Sequence, residues 1–146
     1  MNRTRVLVTG VFDVLHQEHS IFLKKAKKLG DYLIVGIESD LRVKKMKGGG
    51  RPVNNQETRI KNLLDLKIVD RAFVLPEKFS QKKDHIILIK KIKPHILAVS
   101  SHTLHLEKKR KIMDLVAGRL VVVHEHNPQA SSTKIISSGF CQKLLD

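Results

Sequence analysis

The chain has 146 residues, 41% of them hydrophobic and 29% charged, with a formal charge of +14 from 28 basic against 14 acidic side chains. That length suits one domain over residues 1–146 with a core of its own, no apolar run approaches the ~18–20 residues of a membrane helix, and the lone Cys141 excludes an internal disulfide. The positive field attracts polyanions, but with aromatic residues at 4% there are few platforms for stacking bases, so charge alone implies no specific nucleic-acid partner.

The first predicted element is an apolar strand, Val6 to Thr9, entered directly from MNRTR without the long apolar region of a secretory leader. With one cysteine, this makes a cytoplasmic protein the expectation. Directly after the strand stand Gly10, Phe12, Asp13, His16 and His19, in GVFDVLHQEH. Histidines three apart on a helix lie on one face, so both rings can reach one object: a metal, a phosphate or a neighbouring side chain. Leu15, Phe22, Ala26 and Leu29 follow at helical spacing with lysines opposite, and Gly30 is expected as the C-terminal stop.

Tyr32 to Ile37, YLIVGI, reads as the second strand, followed by a loop carrying Lys44 and Lys47 and by the flexible-looking KGGGRP. Asn54 and Glu57 form a capping-box-like start to a helix through Ile60, Leu63 and Leu64, with Arg59 one turn in. Ala72 to Leu75, Ile96 to Val99 and Leu120 to Val123 are further strands, Asp84 to Lys91 and Leu104 to Val116 further helices, and another begins near Ser131. Strands alternating with helices predict an α/β fold: one Rossmann-like domain, a five-stranded parallel sheet with right-handed crossovers and helices on both faces. Ligands bind outside the carboxyl ends of such strands, which puts Gly10 to His19 where the chemistry belongs. A zinc site would need a third ligand; HExxH is absent, and His124 to His126 stands at the end of the fifth strand.

G-x-F-D-x-x-H-x-x-H after a first strand resembles the signature of the cytidylyltransferase-like nucleotidyltransferases, usually written G-x-F-D-x-x-H-x-G-H. LGDYLIVGIESD, Lys44 and Lys47 before GGGRPVNNQETR, and SSTKII at 131–136 extend the resemblance through nearly the whole chain. RPV with Glu57 and Arg59 is more similar to the heptose-phosphate nucleotidyltransferases. PEKFSQKKDHI is similar to the glycerol-phosphate cytidylyltransferases, and SSTKII both to these and to archaeal FAD synthases. The resemblance implies transfer of a nucleoside monophosphate from ATP or CTP to a small phosphorylated acceptor, such as a sugar or polyol phosphate, with release of pyrophosphate. It also implies the roles: His16 and His19 donating to the α-phosphate, Lys44 and Lys47 bringing positive charge, and Ser131, Ser132 and Thr133 holding the β- and γ-phosphates. Gly10, Phe12 and Asp13 would shape the nucleotide loop and Arg59 would meet the triphosphate. Mg²⁺ or another divalent ion would bridge the phosphates with few protein ligands, and a homodimer is implied. An FMN adenylyltransferase and a nucleotide-binding protein without turnover are the alternatives.

Three positions depart from the pattern. Glu18 replaces the glycine before the second histidine, AVSSHT (with Ser100, Ser101 and His102) replaces a glycine-and-acid segment, and His126 and Gln129 stand where the glycerol-phosphate enzymes have arginine and glycine.

Overall fold

Alternation along the strands decides the layering. Val6 and Val8 belong to one apolar cluster and Leu7, between them, to another. A strand buried on both faces in this way needs helices above and below it. The structure, a computed structural model, describes residues 3–79 and 81–123. In chain order these form β1 (Arg5–Gly10), α1 (Gln17–Lys27), β2 (Tyr32–Ile37), α2 (Asp40–Lys47), α3 (Gln56–Asp65), β3 (Arg71–Val74), α4 (Lys82–Ile92), β4 (Ile96–Ser100), α5 (Leu106–Asp114) and β5 (Arg119–Val123). The strands make one parallel sheet in the order β3-β2-β1-β4-β5. Phe22, Leu23 and Ala26 of α1 and Leu63 of α3 cover the Val6 face, whereas Leu88 and Ile89 of α4 and Ile112 and Met113 of α5 cover the Leu7 face.

The chain moves outward from β1 to β3, then crosses back to β4 and moves outward the other way. The reversal lies between β1 and β4, the place where open α/β sheets form a ligand crevice. Here the crevice has a visible cause. Pairing of β1 with β4 covers only Val6 with Ile96 and Leu7 with Leu97, although both strands run three residues further, to Gly10 and Ser100.

All five expected strands are present, and the helices differ in instructive ways. The loop expected to carry Lys44 and Lys47 is instead α2, capped by the Ser39 hydroxyl on the Arg42 amide and closed by Gly48 at φ +88°. Only Val43 of α2 is buried, so the helix carries no apolar stripe for periodicity to reveal. The N-cap of α3 is Asn55, which accepts from the Thr58 amide; Asn54, one residue earlier, is held elsewhere. Gly30 follows the C-cap Lys28 by two residues, and its reason is space: a Cβ there would lie 2.6 Å from the Thr4 carbonyl oxygen and 2.8 Å from Val6 Cγ2. Ser131, Ser132, Thr133, His124, His126, Gln129 and Cys141 lie outside the described residues.

Candidate active site

The turn leaving β1 is shaped by buried polar contacts. Gly10 ends the strand, and its carbonyl accepts from the Glu38 amide at 2.9 Å, tying the ends of β1 and β2 together. Phe12 is fully buried at φ +50°, a conformation that non-glycine residues rarely adopt and that concentrates at functional sites. Asp13 is also fully buried. Its carboxylate accepts from the Val53 amide at 2.7 Å, the Asn54 amide at 2.8 Å and Arg51 Nε at 3.0 Å, while Asn54 Nδ2 donates back to the Asp13 carbonyl at 2.7 Å. Asp13 therefore latches the 51–54 loop, which contains the cis Arg51–Pro52 peptide, onto the β1 turn.

Arg59, expected at the triphosphate, is placed differently. Its side chain has no exposed surface. The guanidinium donates to the carbonyls of Val11 at 3.0 Å, Glu38 at 2.8 Å and Asn54 at 3.1 Å, and to Asp40 Oδ1 at 2.7 Å. A fork of N–H donors with a fixed geometry suits this binding of several loop ends. Arg59 fastens the β1 turn, the end of β2, the start of α2 and the 51–54 loop to one another.

The two histidines meet at the start of α1. His16 is not on the first helical turn but is the N-cap, with extended backbone, and its Nδ1 accepts from the Glu18 amide at 3.1 Å. A ring nitrogen that accepts carries no proton, so the proton sits on Nε2. Nε2 is buried and has no hydrogen-bond partner. His19 is fully buried, its ring 4.1 Å from that of His16 and 5.4 Å, edge to face, from Phe12. Burial pushes the His19 pKa down to about 3; the neighbouring His16 acts in the same direction, and the nearby Val14 carbonyl acts against both. Neither His19 ring nitrogen forms a hydrogen bond with that carbonyl or with any other group.

Unpartnered buried polar atoms are rare and unfavourable, by roughly 1–3 kcal/mol each. The two neutral rings carry one N–H each, so these three atoms include two free donors at a helix amino terminus, a place for an acceptor-rich ligand, and the helix dipole favours an anion there. Glu18 is the opposing element: it is half-buried in the first turn of the same helix, where a carboxylate stabilises the helix but repels an anion.

The lysines lie on α2. Val43 of α2 packs against Val11 of the β1 turn, which holds α2 beside the turn with Lys44 exposed and Lys47 half-buried. At the end of β4, Ser100 is buried and its hydroxyl engages Thr103 Oγ1 at 3.2 Å and the His102 amide at 3.3 Å, so AVSSHT forms a tight turn closed on itself. Sequence reasoning passed over Arg51 and Ser39. A proline after an arginine, and a serine before an acidic first turn, were the available signals.

A family profile described as cytidylyltransferase-like matches residues 7–138. In sequence the chain is similar to the bifunctional protein HldE of Campylobacter fetus subsp. fetus (strain 82-40), 43% identical over 95 residues that cover 65% of this chain and 20% of that one. It is also similar to the bifunctional protein HldE of Helicobacter pylori (strain Shi470), 38% identical over 120 residues, 77% of this chain and 25% of the relative. The chain thus spans about a fifth to a quarter of the length of these relatives. In structure it resembles the lipopolysaccharide core biosynthesis protein from Thermoplasma volcanium GSS1, with a TM-score of 0.70 and 27% identity over 86% of this chain and 100% of that chain. Pantoate-beta-alanine ligase from Francisella tularensis, at 18% identity and a TM-score of 0.65 over 98% of this chain and 71% of that one, shares the fold alone.

Proposed function

The chain belongs to the cytidylyltransferase-like family, and from that premise we propose that it is a nucleotidyltransferase acting on a small phosphorylated acceptor. In this reading it moves a nucleoside monophosphate from ATP or CTP to a sugar or polyol phosphate and releases pyrophosphate. The observation that carries the reading is the histidine pair: unpartnered ring nitrogens of His16 and His19, buried at the head of α1 beside the sheet's crevice.

The chemistry asks little of a general base, because the second pKa of a phosphate monoester is about 6 and the acceptor arrives as an anion. The site has to align two anions and stabilise the charge that builds on the α-phosphate oxygens. His16 Nε2–H and the N–H of His19 are the donors for those oxygens. Lys44 and Lys47 offset the charge of the substrates from α2. Ser131, Ser132 and Thr133 are assigned the β- and γ-phosphates on the resemblance of SSTKII to the family's second signature. Among the described residues no three His, Cys, Asp or Glu side chains converge on a point that could hold a metal. In this reading Mg²⁺ would arrive with the triphosphate. Such an ion, when bound, would offset part of the triphosphate's negative charge.

The test is pyrophosphate release with ATP and CTP against glycerol 3-phosphate, heptose 1-phosphate and FMN. Release with a sugar or polyol phosphate supports the reading, and release with FMN alone replaces it by the flavin-adenylylating alternative. Glu18 favours a second reading, nucleotide binding without turnover; tight ATP or CTP binding with no release from any acceptor would select it. The same reading includes a homodimer and a cytoplasmic site of action, the first of which light scattering tests directly.

A further inference from the structure

A second polar cluster lies on the sheet face away from the histidines. Beyond Leu7 and Leu97, where pairing of β1 and β4 stops, Thr9 and Val99 flank a gap that opens into a cavity of about 50 Å³ under α4 and α5. Its walls are apolar except for Thr9, Glu38, His85 and Lys109. Thr9 is one residue from Gly10, so the carboxyl end of β1 joins this cavity to the turn that leads to His16. α1 covers the opposite face.

We propose that Glu38 and His85 are the specificity-determining residues for the acceptor, recognising hydroxyl groups on the uncharged carbon skeleton of a phosphorylated sugar or polyol. The inference rests on the nucleotidyltransfer reading above, and four observations carry it. The first is position: in an in-line displacement the attacking group lies opposite the leaving pyrophosphate, and this cavity approaches the end of β1 from the face opposite the histidine helix. The second is the pair itself. Glu38, 7% exposed, keeps only a long contact of 3.4 Å from Arg42 Nε, and His85 stacks on Phe79 with ring centroids 4.2 Å apart.

The third is charge. Burial raises the Glu38 pKa against the opposing pull of Arg42 and Arg59. Burial, with help from Lys109 and Arg42 and against Asp84, lowers that of His85. Both shifts favour uncharged forms, which exchange hydrogen bonds with hydroxyls. The fourth is size. One water needs about 10–15 Å³ of such space, so the cavity accepts a few heavy atoms, such as the hydroxylated end of a polyol or the side arm of a sugar, and does not admit a flavin ring system.

The experiment is calorimetric titration of wild type, Glu38→Gln and His85→Phe with ATP and, separately, with heptose 1-phosphate and glycerol 3-phosphate, alongside pyrophosphate release. Each variant is expected to weaken binding of the preferred sugar or polyol phosphate at least tenfold and to raise its KM in step. ATP affinity should stay within twofold, and kcat at saturating acceptor within fivefold. The proposal is overturned if neither acceptor binds wild type, if both variants bind it as wild type does, or if ATP affinity falls equally, since the cavity would then serve the nucleotide. If acceptors and ATP bind but no pyrophosphate appears, the nucleotidyltransfer reading fails. The binding ratios then still decide the assignment of Glu38 and His85.

Discussion

Replacing His16 by asparagine separates two jobs that a single imidazole performs in this fold. Nδ1 caps α1 by accepting from the Glu18 amide at 3.1 Å, while Nε2 is the buried, unpartnered donor. Alanine removes both. Loss of a side-chain N-cap costs about 1 kcal/mol, which for a domain of this size lowers the melting temperature by about 4 °C. Loss of one donor to a developing phosphate charge lowers kcat by roughly 10² to 10³.

Asparagine is among the best N-cap residues, but its amide is too short to reach the position of Nε2. His16→Asn should therefore melt within about 1 °C of wild type and still lose at least about a hundredfold in kcat. His16→Ala should lose both stability and turnover. ATP affinity in each should stay within about tenfold, a difference of about 1.4 kcal/mol, because the proposed role of the donor is exerted mainly in the transition state. Thermal unfolding and single-turnover pyrophosphate release with the preferred acceptor measure the two effects separately. Turnover of His16→Asn within threefold of wild type would refute the role given to Nε2. Equal loss of stability in both variants would refute the capping role of Nδ1.

His19 makes the fold acid-sensitive: its pKa of about 3 when folded lies below the ordinary 6.5, so the unfolded chain binds the proton first. The corresponding stability is present above pH 6.5 and falls as the pH drops towards 3, by about 2 kcal/mol at pH 5. Chemical denaturation of His19→Gln across that window should show a shallower decline, and parallel curves would mean that His19 is not the group responsible. Gly30→Ala places a methyl group against the Thr4 carbonyl and Val6, so it should destabilise by about 1–3 kcal/mol in urea while kcat is unchanged. Glu18→Gln removes a carboxylate from the head of α1 and should tighten ATP or CTP binding severalfold, by about 1 kcal/mol, in calorimetry; unchanged affinity would mean that this carboxylate faces away from the phosphates.

The strands and the turn from Gly10 to His19 were legible in the sequence because their signals are local. A parallel strand covered on both faces must be apolar nearly throughout, and YLIVGI and ILAVS are. Gly10, Phe12, Asp13, His16 and His19 fall within ten residues, so one turn followed by one helix start is enough to bring them together. The helix α2 was illegible by periodicity because a single side chain, Val43, anchors it; its caps, Ser39 and Gly48, were the readable signal.

Tertiary structure alone decided what the buried polar groups do. Arg59 finds acceptors 48, 21 and 19 residues away, on the β1 turn and the β2–α2 connection, and so becomes a fastener where its sequence context suggested a phosphate ligand. Asp13 is satisfied by amides 40 and 41 residues on, and Glu38 shares a cavity with His85 only because β3 and α4 carry the chain back across the sheet. Apolar burial is written into the spacing of side chains along one element, since any face of the core will accept it. A buried charge needs particular partners at hydrogen-bond distance, and which oxygen atoms arrive there is settled by how distant segments cross.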